Sequence, residues 1–120
     1  MTKPIIVSAN SAANVVVGGD FLEADGSGFV KAYDGAGTIL GRAEGNPQTT
    51  TKELGCIKQG LIPVATTNDA YNFGDQVFWI AGAGGKVDDG TVGTVLVGRA
   101  IETKTTTAAD NSLQVYINFA

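Results

Sequence analysis

An all-β fold is what this sequence predicts: a single small β-barrel or β-sandwich with Gly-rich turns, spanning residues 1–120 as one β domain. Three observations carry that expectation. Glycine supplies 17 of the 120 residues, about twice its usual ~7% share. Between the dispersed glycines lie short runs of β-branched and aromatic residues, spaced every ten residues or so and bounded by Gly, Asn and Asp. The last run, "LQVYINF", alternates strictly, so Leu113, Val115, Ile117 and Phe119 share one face and Gln114, Tyr116 and Asn118 the other.

The elements follow in order. In "MTKPIIVSAN", Ile5, Ile6 and Val7 stand behind Pro4. This segment reads either as an N-terminal arm over residues 1–10, able to add as an edge strand to a neighbour's sheet, or as the protein's own first strand. "NVVVGG", "GFVKAY" and "GTILG" are the next strand candidates. The loop from Asn46 to Lys52 is polar, long for a hairpin, and shows no internal reason for its length. "TTNDAYNFG" is the best helix candidate, a single turn that Asn68 or Asp69 could cap. "GDQVFWI" then enters the core, "AGAGG" turns, and "KV" begins the return. Val77, Trp79, Val115 and Ile117 are the expected core; a lone Trp inside an apolar run belongs inside. "TVLVG" and "LQVYINF" complete the set.

The halves resemble each other. Gly19-Asp20 matches Gly74-Asp75, "LGRAE" at 40–44 matches "VGRAIE" at 97–102, and Thr49–Thr51 matches Thr105–Thr107. A Gly- and Thr-rich chain also produces such matches by chance. A true duplication would mean two similar half-units divided near residues 60–65, forming one barrel or sandwich, because ~55 residues of β-structure rarely bury enough alone.

Composition narrows the chemistry. The net charge is -4, and the 8 Lys and Arg residues are scattered, so no basic stripe for nucleic acid or anionic lipid is visible. There is no histidine, which removes the commonest general base and metal ligand. The single cysteine, Cys56, excludes a disulfide framework and reads as a small buried hydrophobe. "GAGGKV" at 82–87 approaches a phosphate loop, but Ile80 stands where the pattern needs glycine and Val87 where it needs Ser or Thr. The aspartates beside or near glycines (Asp20, Asp25, Asp34, Asp88 and Asp89) fit no EF-hand and read as solvated turn residues. No catalytic, metal or cofactor-binding residue is predicted, and no enzyme activity. No signal peptide or membrane span is apparent, so a soluble protein made in a cytoplasm is expected.

Residues 60–102 resemble a family of short bacteriophage capsid cement or decoration proteins, phage structural proteins first grouped only as a domain of unknown function. The resemblance is carried by Leu61-Ile62-Pro63-Val64, by Gly74-Asp75-x-Val77-Phe78-Trp79 with a Gly-Lys-Val return, and by Val97-Gly98-Arg99-Ala100 with a final alternating strand. "VVVGGDFLEAD" looks like the family's first segments, whereas "GNPQTTTKELGCIKQG" is longer and more polar than the family pattern. The resemblance implies an all-β homo-oligomer on the outer surface of an icosahedral head, made in the host cytoplasm, that fastens major capsid protein subunits. It implies no cofactor, nucleic acid or membrane. A homotrimer on local three-fold axes is the first expectation and a homodimer the second. The expected capsid contacts are Lys3, Pro4, Ile5, Ile6 and Val7 in the arm, and Asn46, Pro47, Gln48, Thr49 and Lys52 in the loop. The rival reading is a small carbohydrate-binding β module using Trp79 or an exposed tyrosine.

Overall fold

The computed structural model describes residues 5–11, 16–67, 69–107 and 111–119. Every regular element among them is a strand: β1 (Ile5–Asn10), β2 (Phe21–Ala24), β3 (Val30–Ala32), β4 (Gly41–Ala43), β5 (Glu53–Ala65), β6 (Gln76–Trp79), β7 (Val87–Asp88), β8 (Val95–Ala100) and β9 (Ser112–Asn118). The chain is therefore all-β. "TTNDAYNFG" forms no helical turn. Thr66 and Tyr71 enter isolated β-bridges instead, and the Asp69 carboxylate accepts the Thr67 hydroxyl. Asn68 lies outside the described residues.

The chain divides into two compact units, one running to Gln59 and taking in Phe119, the other spanning Gly60–Asn118. In the first, β2 pairs with β3 and β4, β4 pairs with β5, and β5 pairs with β1, all antiparallel. The strand order is β3-β2-β4-β5-β1. In the second, β6 pairs with β7 and β8, and β8 pairs with β9. β9 neighbours β5, so the order is β7-β6-β8-β9-β5. A parallel bridge between Thr66 and Val87 joins the end of β5 to β7 and closes the five strands of this unit into a ring. Thirteen-residue β5 is thus the last strand of one unit and the first of the next.

The two units repeat one plan down to single hydrogen bonds. Val17 N–H donates to Asp20 Oδ2 at 3.0 Å, and Asn72 N–H to Asp75 Oδ2 at 2.8 Å. Gly19 and Gly74, with φ of 96° and 93°, donate to Ala43 O and Ala100 O, whose own amides donate to Asp20 O and Asp75 O. The left-handed φ is open to glycine at little cost. Arg42 Nε donates to Gly19 O and Arg99 Nη1 to Gly74 O. Lys52 and Asn111 are the non-glycine residues with positive φ among those described. They occupy one position: Lys52 O accepts from Ser11 N–H, and Asn111 O from Thr66 N–H.

Two pairs of equivalent residues lead to measurable expectations. A Cβ on Gly41 would stand 2.5 Å from Cys56 Sγ and from Ile57 O, and one on Gly98 would stand 2.5 Å from Tyr116 O. Backbone oxygens in a ladder cannot yield, so Gly41→Ala and Gly98→Ala should each cost about 2–3 kcal/mol, as overpacking does. The urea midpoint should fall with an unchanged slope. Conversely, Ser11 Oγ and Thr66 Oγ1 are buried without a hydrogen-bond partner. Removing an unsatisfied polar group relieves its desolvation cost, so Ser11→Ala and Thr66→Val should be neutral or stabilise by about 1 kcal/mol. Thermal denaturation of the two variants checks this.

Apolar burial follows the strand period. Along β9, Leu113, Val115 and Ile117 are fully buried while Gln114, Tyr116 and Asn118 face solvent. Phe119 turns its ring onto Phe21 edge to face, with centroids 6.1 Å apart. Val77, Trp79, Val87 and Val97 join β9 inside the second unit. The first unit is built on Val16, Leu22, Val30, Ala43, Leu54 and Cys56. The Cys56 thiol is buried and free, and burial pushes its pKa up.

Candidate interaction surface

Residues 5–10 of the expected arm are the protein's own first strand. β1 pairs in register with β5, from Ile6 opposite Ile57 to Asn10 opposite Glu53, and its backbone is committed to that ladder on one side. Ile6 stays exposed. Lys3 and Pro4 lie outside the described residues, as do the side chains of Ile5 and Val7.

The loop from Asn46 to Lys52 has an internal role that the sequence did not show. Asn46 Oδ1 accepts from Gly18 N–H at 2.8 Å. Gln48 N–H donates to Glu53 O, and Lys52 N–H returns to Gln48 O. Asn10 Nδ2 donates to Thr51 O. The length of the loop lets it close β4 onto β5 and hold the end of β1. Gln48, Thr49 and Lys52 remain exposed, and Pro47 is half-buried.

The turn aspartates are not uniformly solvated. Asp25, Asp34 and Asp89 each accept the amide two residues ahead, the Asx-turn role; Asp34 and Asp89 are exposed and Asp25 is half-buried. Asp20 and Asp88 are buried instead. Asp88 accepts three loop amides: Gly90 at 2.9 Å, Val92 at 2.8 Å and Gly93 at 3.0 Å. In the first unit the loop after β3 is served by Glu23, a buried carboxylate on β2 that accepts Asp34 N–H at 2.8 Å. The sequence signal for both is a short loop with paired glycines, whose amides need an acceptor.

Among the described residues no group of three or more His, Cys, Asp or Glu side chains is placed to hold a metal ion. The loop around "GAGGKV" turns the chain from β6 to β7, with Gly82, Gly84 and Gly85 all at positive φ. Trp79 is buried on β6, so its ring presents no open face to a sugar.

Large apolar side chains do reach the surface. In the second unit they are Phe73 at 71% exposure, Val92 at 65%, Leu96 at 47% and Tyr116 at 37%; in the first, Val17 at 49%, Ile6 at 43% and Phe29 at 37%. Phe78 is half-buried and lies opposite Leu96 across the β6–β8 pair. Burial also acts on Tyr71, whose phenol it pushes well above the usual range, assisted by the Asp69, Asp89 and Asp88 carboxylates.

The class these features define is a small two-unit all-β protein with apolar side chains displayed on polar loops and strand faces. No protein-family model matches the chain, and no curated protein matches its sequence.

Proposed function

We propose that the chain is a capsid decoration protein: a homo-oligomer, trimeric in the first instance, that binds the outside of an icosahedral phage head and bridges major capsid protein subunits. The observation that carries this reading is the display of Phe73, Val92 and Leu96. They lie within the segment, residues 60–102, whose sequence resembles phage cement proteins. Large apolar side chains left at the surface are material for interaction sites, and a bridging protein acts through surface complementarity with no need of catalytic groups. Binding to the assembled lattice and not to free subunits stabilises the head by mass action, and an oligomer that engages several capsomers multiplies modest contacts.

The test is addition of purified protein to heads that lack it. Saturable decoration in ordered oligomers by cryo-electron microscopy, with head rupture moved to higher temperature, is the expected result. A strictly monomeric protein by light scattering that neither decorates nor protects heads overturns the reading.

A further inference from the structure

We propose that the depression over Phe78 in the second unit is a docking site for one arginine side chain presented by a protein partner. The depression holds about 360 Å³ and is lined by Ala70, Asp75, Gln76, Phe78 and Asp89. Its lining brings one aromatic ring together with two carboxylate residues; these accept loop amides, and neither is ion-paired with a described residue. Arg99, the nearest cation by strand register, lies opposite Gln76 and turns its guanidinium to Gly74 O.

The first unit supplies the comparison. Phe78 follows Asp75 as Glu23 follows Asp20, and the two positions sit alike: a Cβ on Gly93 would meet Phe78 Cβ, and a Cβ on Gly37 would meet the Glu23 side chain. In the first unit this strand position is occupied by the buried carboxylate that the loop requires. In the second, Asp88 serves the loop from the neighbouring strand. Position 78 is thereby released from that task and carries a half-buried phenyl ring that lines the depression with Asp75 and Asp89.

Charge and shape select the occupant. A planar guanidinium stacks on an aromatic face while its fork reaches carboxylates, which an ammonium does less well. A neutral apolar residue would cover Asp75 and Asp89 without pairing them, at a desolvation cost. The inference does not depend on the capsid reading, since any protein that presents an arginine at the right height would serve.

The experiment is an amide-resolved NMR titration of the full chain with N-acetyl-arginine methylamide, using the citrulline analogue as the neutral probe of equal shape. Saturable shifts grouped at Ala70, Gln76, Phe78 and Asp89 are expected, with the arginine probe at least about fivefold tighter than citrulline. Asp89→Asn keeps the side-chain oxygen that Thr91 N–H uses and removes the charge; Phe78→Leu keeps an apolar side chain and removes the ring. Each should weaken the arginine probe several-fold, with the remaining amide spectrum unchanged. Equal shifts from both probes, shifts scattered over all exposed carboxylates, or no saturation at the probe's solubility limit would overturn the proposal, whatever the outcome with phage heads.

Discussion

Asp88→Ala should be among the most damaging single substitutions in this chain, lowering stability by about 4 kcal/mol. The carboxylate is almost fully buried and accepts three loop amides, the Gly93 amide reaching both of its oxygens. Hydrogen bonds to a charged acceptor contribute roughly 1.5–3 kcal/mol each, and they do not add in full because the loop can open to water. A cavity below Gly93 compounds the loss, since a Cβ there would already lie 2.5 Å from Asp88 Oδ1. Asp88→Asn keeps one acceptor oxygen and should cost about half as much. Urea denaturation of both variants, with the exposed Asp89→Ala as reference, checks the order. An Asp88→Ala protein as stable as the Asp89 variant would show that water serves the loop equally well.

Trp79→Ala should cost about 3–5 kcal/mol, the range for truncating a buried aromatic. Trp79 is 5% exposed and sits on β6 between Val87 of β7 and Val95 of β8. Its loss would open a cavity between both strand pairs at once. The native emission of the sole tryptophan should be blue-shifted and should move red on unfolding. Red-shifted emission from the native protein would contradict the burial and with it the expected loss of stability.

The strands that sequence displays best are those with one wet face. β9 could be read residue by residue because the exposed Gln114 and Tyr116 each separate two buried neighbours. β5 could not. Cys56 and Ile57 are both buried, Lys58 and Gln59 are both half-buried, and Gly60, with φ of 147°, reads as a break although the strand runs through it. The match of Gly19-Asp20 and Gly-Arg-Ala with their counterparts was visible as letters, but its meaning lies in backbone bonds that letters do not show. Asp88 and Asp89 look alike in sequence and differ wholly in burial, because burial there depends on which strand faces the loop. The partial exposure of Phe78 was equally invisible, since an apolar residue in an apolar run gives no sign of being left partly outside.

The burial of Cys56 has a practical corollary. The residue is 2% exposed on β5, and its thiol, with a pKa raised by burial, is a poor nucleophile. It is also the one cysteine of the sequence. A cysteine introduced at an exposed site such as Thr49 or Val92 therefore becomes the single reactive sulfhydryl per chain. Maleimide conjugation would then attach a fluorophore, a peptide antigen or a gold cluster at a defined stoichiometry of one, with the wild-type thiol left in place.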